Sequence, residues 1–463
     1  MQTAIETISD LKQLAFDVVA KARKAGATDA EAVVYEGEEF GALVRLGQVE
    51  QLKESGSRAI GLRVFIGQRS ASTSSSDFSS ESIERLVSGA VTLAKITSED
   101  PFAGLPEPEA FGQIDTDQHL YFDDVNEQPP AKRIEIARRT EAAAMAYDTR
   151  IQNSGGGDFD TATSHKILAN SRGFVGEYRR SYCGFSASPI AQDERGMQRN
   201  YWYSNSRTVS RLESPEEIGQ EAARRTLKRL GARQVKTQAA PVVFSPEIAR
   251  SIMGNIFEAA NGDAIYRHAS FFADMLGEQV AGENITLVDD GTMVFHEGGI
   301  SIGGFGTSPF DGEGLPTRRK VIVERGILKT YVMNTYTARK LGMASTGNAS
   351  RGLAGNPGIG AGNFYLEAGT LTPEEIIADV KQGLYVTETM GFGVNLVTGD
   401  YSQGASGMWI ENGEIAYPVE EITIAGNLKD MYKNVVAIGN DLVFRGASAA
   451  PTIRVEGMMI AGA

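Results

Sequence analysis

The chain has 463 residues, 41% of them hydrophobic and 22% charged, with 52 glycines and a formal net charge of −14. That balance suits a soluble globular protein of two or three domains with many tight turns, and it disfavours nucleic acid or an anionic membrane as the main partner. The single cysteine, Cys183, excludes an intramolecular disulfide and a zinc site built on cysteines.

In chain order, helical spacing of Leu11, Leu14, Ala15, Val18, Val19 and Ala22 predicts a first helix from about Ser9 to Ala25, capped by Ser9 and stopped by Gly26. Strand-like runs follow at Glu31–Tyr35, Ala42–Leu46, Ala59–Ile66 and Ser70–Ser74, joined by short turns as in a meander. Helices are expected over about Glu81–Ile96 and, after Pro129-Pro130, over about Ala131–Tyr147. More strands fill Ile151–Tyr203. Ser214-Pro215-Glu216-Glu217 then reads as a capping box that opens a helix ending near Leu230-Gly231. The polar stretch Ala232–Gln238 is the best boundary.

Beyond it, Pro241–Phe244 reads as a buried strand, and Ser245-Pro246-Glu247 starts a helix to about Ala260, stopped by Asn261-Gly262. Ile248, Ile252, Ile256 and Ala260 recur every four residues and should face a core. The rest is rich in glycine and strand, with one further marked helix from Thr372 to Gln382, closed by Gly383. The expected fold class is therefore α+β. A helix-plus-β-meander domain occupies residues 1–235, and a β-rich domain occupies residues 236–463.

No residue pattern by itself names a chemistry. The four histidines, His119, His165, His268 and His296, lie far apart, whereas zinc hydrolases need about three protein ligands. His296-Glu297 is followed by two glycines and no second histidine. His268 lies near Glu258 and Asp263 but reads as a solvated loop residue. Gly358-Ile359-Gly360-Ala361-Gly362 resembles a phosphate loop, yet the following Asn363–Leu366 reads as a strand rather than a helix. No G-x-S-x-G elbow is present, although serine is abundant. Asp289-Asp290 and Asp311-Gly312-Glu313 offer paired acids, but adjacent Asp and Gly favour turn chemistry. Arg318-Arg319-Lys320 suits a peptide carboxylate or a phosphate, and equally a solvated surface, which is the preferred reading.

Taken together, several segments of the second half resemble the TldD/TldE metallopeptidase family, in its TldE (PmbA) branch. They are Ser270-Phe271-Phe272, Gly277–Val280, Leu287–Asp290, Asp311–Gly314 with Thr317–Arg319, Tyr336–Leu341, Thr346–Ala349 with Arg351, Gly399–Ser402 and Thr423–Leu428. The helix-plus-meander pattern of residues 9–100 also looks like the family's first domain. In that family the TldD subunit carries an H-E-x-x-x-H helix and a later cysteine ligand. Here the matching positions hold Phe257, Glu258 and Gly262, and the cysteine position falls near Ile438-Gly439. The resemblance thus implies no metal or catalytic residue in this chain and a zinc ion in a TldD-like partner subunit. It also implies a heteromer that encloses a chamber where unfolded peptides are cut.

Residues five apart on a regular helix are rotated by about 140°. Positions 257 and 262 converge only if the helix ends between them, as Asn261-Gly262 suggests. Two other readings stay open: a homodimeric peptide-binding scaffold, and an autonomous hydrolase using Ser, Thr or Asp chemistry. An acidic N-terminus without an apolar run, and no stretch of about 18 apolar residues, favour the cytoplasm.

Overall fold

A computed structural model describes residues 8–115 and 117–462. Helix α1 (Ile8–Lys24) leads into the hairpin of β1 (Asp29–Arg45) and β2 (Gln48–Ile66), then β3 (Arg69–Ser75) and α2 (Ser80–Ile96). After a loop come α3 (Asp124–Glu127) and α4 (Pro130–Met145), the long strands β4 (Ile151–Asn170) and β5 (Val175–Asp193), short β6 (Gly196–Arg199) and β7 (Trp202–Ser206), and α5 (Pro215–Leu227). The seven strands form one antiparallel sheet in the order β3-β2-β1-β4-β5-β6, with β7 also on β5.

Two predicted strands, Glu31–Tyr35 and Ala42–Leu46, are one. The polar Glu36-Gly37-Glu38-Glu39 between them looks like a turn in sequence, but it is paired on both sides, with β2 and with β4. Two ladders outweigh a local turn preference. The capping box at Ser214 does not form. Its hydroxyl bonds the Glu216 carboxylate at 3.1 Å, and that carboxylate is clamped by Arg139 through two bonds of 2.8 Å. The capping expected of Ser9 concerns a side chain outside those described.

The helices lie on one face of this sheet. Ala30, Ala32 and Val34 of β1 pack with Ile60, Leu62 and Val64 of β2 against α1 and α2. Val44, of the same parity on β1, packs with Ala137 of α4 and Ile218 of α5. Alternation then turns Glu31, Val33, Gly61 and Arg63 to the opposite face.

The second half begins with β8 (Gln238–Phe244), α6 (Pro246–Ala259) and α7 (Gly262–Tyr266). Then follow β9 (Leu287–Asp290), β10 (Val294–Glu297), β11 (Ile300–Gly303), β12 (Arg319–Glu324), β13 (Ile327–Leu328), α8 (Thr335–Leu341), β14 (Ala349–Ser350), β15 (Gly358–Ile359) and β16 (Asn363–Leu366). The run closes with α9 (Pro373–Ala378), β17 (Gln382–Met390), β18 (Asp400–Glu411), β19 (Glu414–Asn427), α10 (Leu428–Lys433), β20 (Val435–Ile438), β21 (Ser448–Ala449) and β22 (Ile453–Ala461).

These strands build a six-stranded sheet, β19-β18-β17-β8-β22-β20, and a five-stranded sheet, β13-β12-β9-β16-β21, with two small hairpins. Helix α6 packs between the two larger sheets: Ile252, Ile256 and Ala260 are buried and Ile248 half-buried, in one core with Phe244 and Leu384 on one side and Phe364 and Leu366 on the other. The predicted stripe therefore faces the core.

The predicted helix at Thr372 has its capping box, with Thr372 and Glu375 bonded reciprocally, but it ends at Ala378. Gly383, expected to close it, lies inside β17, where the parallel pairing to β8 claims the segment. Helices α7, α8 and α10 were not expected; each is seven residues or fewer and opens on an asparagine whose side chain accepts a backbone N–H.

Candidate functional site

Helix α6 ends in the place the sequence marks. Ala260 N–H bonds Ile256 O at 2.9 Å, and the Ala259 carbonyl accepts Ser270 Oγ at 2.6 Å. The chain then breaks direction. Gly262 N–H bonds Val332 O at 2.8 Å, and Asn261 caps α7 by accepting the Asp263 N–H at 3.0 Å. Positions 257 and 262 thus stand on two helices joined by a sharp bend.

What fills those positions is apolar. Phe257 is buried, edge-on to Phe364 with ring centroids 5.4 Å apart. At Gly262 a Cβ would lie 2.9 Å from both Met333 Cγ and Thr337 Oγ1, so any side chain must move those two side chains. Thr337 is itself held, its N–H and Oγ1 each donating to Asn334 Oδ1 at 2.9 Å. Glu258 is exposed by surface area, yet crowding by protein atoms raises its carboxyl pKa, opposed by a hydrogen bond from Asn261. Ile438 pairs with Ile453 in the six-stranded sheet, and Gly439 N–H bonds Thr452 O at 2.7 Å. Beside the bend lies a cavity of about 400 Å³. Asn261, Asp263 and Tyr266 line it from the second half, and Arg63, Ser70 and Asp100 from the first.

Neither His268 nor His296 lines this cavity. His268 is exposed and left-handed in backbone (φ 52°), and neighbouring Asp263 pairs with Arg267 at 3.1 Å. His296 sits exposed on the β10–β11 hairpin, 2.9 Å from Ser301 Oγ, while Glu297 pairs with Arg211. Cys183 is buried in the first sheet, which pushes its thiol up to about 12. Among the described residues no three His, Cys, Asp or Glu side chains are grouped to hold a metal ion. The glycine run ends in a strand, and Gly362 N–H donates to Asp289 Oδ1 at 2.6 Å.

The acidic pairs correct the sequence reading. Asp290 makes the expected turn, accepting Thr292 N–H at 2.8 Å. Asp289 does not: it is fully buried in β9, bonded to Asn348 Nδ2 at 2.8 Å and Lys320 Nζ at 3.1 Å. Lys320 is accordingly buried rather than solvated, because its alternation on β12 points it at that carboxylate. Asp311 does turn chemistry in the interior. Its Oδ1 accepts the N–H groups of Glu313 and Leu315, and its Oδ2 accepts that of Ala349 at 3.0 Å. Glu313 is buried as well and accepts Thr335 N–H at 2.8 Å, at the start of α8. Burial, and for Asp311 also the Glu313 charge, hold both carboxyls above their usual range.

Sequence reading missed the partners of this pair. Glu31 on β1 accepts a hydrogen bond from Arg63 Nε at 2.5 Å and forms an ion pair with Arg351, whose Nη1 lies 2.6 Å away, all three side chains almost fully buried. Lone charges inside apolar strands, as in Ala30-Glu31-Ala32 and Leu62-Arg63-Val64, were the available signal. The cluster joins the first sheet's open face to the loops of the second half.

Three family models cover the chain: PmbA/TldA metallopeptidase domain 1 over residues 30–94, the central domain over 123–230 and the C-terminal domain over 237–462. Metalloprotease PmbA of Escherichia coli O157:H7 is 38% identical over 418 residues, spanning 90% of this chain and 89% of its own. The chain belongs to the PmbA/TldD metallopeptidase family. The PmbA homologue of Haemophilus influenzae is 36% identical over 98% of this chain and 96% of its own. Within the same fold, a Bacteroides thetaiotaomicron structure described as a candidate modulator of DNA gyrase superposes with TM-score 0.90 at 26% identity, covering 99% of this chain and 100% of that one. TldE of Thermococcus kodakarensis shares the fold at TM-score 0.86 and 22% identity, over 97% of this chain and 100% of that one. Among the described residues, no helix is long and apolar enough to cross a membrane.

Proposed function

We propose that this chain is the non-metal subunit of a heteromeric TldD/TldE-type metallopeptidase, acting in the cytoplasm on unfolded peptides. The zinc ion and the water it activates belong to a TldD-like partner. The reading takes residues 1–235 and 236–463 as two units that together form part of a chamber wall. It is supported by what fills the two positions that the resemblance matches to the metal subunit's histidines: Phe257 is packed on Phe364, and a Cβ at Gly262 would meet Met333 and Thr337. An apolar filling of this kind avoids a buried unpaired charge. It also means that histidine cannot be restored at 262 without moving Met333 and Thr337.

The test is to purify the chain alone, a metal-binding homologue alone and the two co-expressed, and to measure zinc content and cleavage of unfolded peptides. The expected result is co-purification and chelator-sensitive cleavage by the pair, with no stoichiometric zinc in this chain. About one zinc per isolated chain, retained through dialysis, together with metal-dependent cleavage, sinks the reading. Chelator-resistant cleavage by the isolated chain would point to an autonomous hydrolase instead.

A further inference from the structure

A second cavity, of about 350 Å³, lies between the open face of the first sheet and the loops of the second half. It is separate from the bend at Gly262 and shares no lining residue with the cavity there. Three cationic residues with some exposed side chain line it, Lys166, Arg180 and Lys320, against two carboxylates, Asp289 and Asp311, while Arg351 borders it with its side chain buried against Glu31. A surplus of positive charge is notable in a chain of net charge −14.

The hydrogen bonding sharpens this into a preference. Both carboxylates are already committed. Asp289 is taken by Lys320, Asn348 and Gly362, and Asp311 by three backbone N–H groups. The donors are not. Lys166 has neither an ion pair nor a hydrogen bond among the described residues. Arg180 donates Nη2 to Thr307 O at 2.9 Å, while its Nε is buried without an acceptor. Arg351, by contrast, is paired with Glu31 and its side chain is fully buried, so it does not reach the interior of the cavity. A half-buried cation without a partner, such as Lys166, is best satisfied by a charged acceptor.

The position follows from the fold. Strand alternation places Lys166 on the same face as Leu168, and Tyr178 and Arg180 on the matching face of β5, while Ile167 and Ala169 face the helices. Arg351 and Lys320 approach from the loops and sheet opposite.

We propose that this cavity is a binding site for a small oxyanion, a carboxylate or phosphate group held by Lys166 and Arg180. It takes no cation, since no carboxylate in it is uncommitted. The inference concerns this chain alone and does not depend on the subunit reading.

The experiment is calorimetric titration of the purified chain with inorganic phosphate, and with a short acetylated peptide in its free-acid and C-terminally amidated forms. Binding of phosphate alone identifies a phosphate site, and binding of the free acid but not the amide identifies a carboxylate site. Either supports the proposal when Lys166→Met and Arg180→Met each weaken it by about tenfold or more, and added salt weakens it further. Both variants change half-buried side chains, and their melting curves verify the fold. Lys166→Gln serves if the methionine variant melts early. No binding up to concentrations on the order of 10 mM overturns the proposal, as does binding that both variants leave unchanged.

Discussion

The two faces of the first sheet are covered in opposite ways. One is buried, over β1 and β2, by helices α1 and α2 through Ala30, Ala32, Val34, Ile60, Leu62 and Val64, all apolar and all in contact with helices that lie close by in the sequence. The other is buried by loops some three hundred positions away in the chain, through a cluster of charges, Glu31, Arg63 and Arg351, with the carboxyls of Asp311 and Glu313 beside it. An apolar face needs only the right period and volume. A charged face needs each partner in place, because a buried charge left without its partner costs as much as a large cavity or more. The docking of the two halves is therefore more exacting than the interior of either.

That contrast can be broken experimentally. The largest effect is expected for Arg351→Ala, which leaves Glu31 with one cation in place of two: a loss of about 3–5 kcal/mol in urea unfolding. If it is tolerated with under about 1 kcal/mol, the charged face is not what holds the halves together. Leu62→Ala on the apolar face should cost about 2–4 kcal/mol, as for other fully buried leucines. Unlike Arg351→Ala, it should lower the first sheet's own stability, read by hydrogen exchange in β1 and β2 rather than in residues 345–357.

Gly61→Ala tests close approach on the charged face, where a Cβ would fall 1.6 Å from Leu353 O. The loop must withdraw, for an expected cost of about 1–3 kcal/mol, with exchange gained chiefly at residues 351–357. The smallest effect is on pH dependence. Folding raises the Asp311 and Glu313 pKa values, so the folded state binds more protons than the unfolded one from the ordinary carboxyl range, about 4, upward. Their contribution is fully present below that range and is lost as pH rises through the folded pKa values. Melting temperature should therefore fall across this window, and Glu313→Gln should flatten the fall. An unchanged slope would show that the pair is not the source.

The same contrast explains what the sequence disclosed. Helix α6 and its buried stripe, the stop at Asn261-Gly262 and the helix start at Thr372 were legible because each depends on residues within a few positions of one another. Family membership was legible too, from many short segments taken together. Asp289 was misread as a turn residue because its partners, Lys320, Asn348 and Gly362, are brought to it only by the sheet and loops. The Glu31 cluster was missed for the same reason. Local pattern carries period and propensity, whereas a buried ion pair is a property of two distant segments.

The placement of β22 carries a consequence for how the molecule is made. It lies between β8 and β20 in the six-stranded sheet, and also pairs with β19. On a translating ribosome β8 emerges long before β22, so one of its edges stays unpaired while nearly all the rest of the second half is made. An open apolar edge is a template for wrong pairing, and long-range closure is slow. Chaperone dependence and nascent-chain aggregation should therefore concentrate in this sheet, while the first sheet, complete by Ser206, is free to form early.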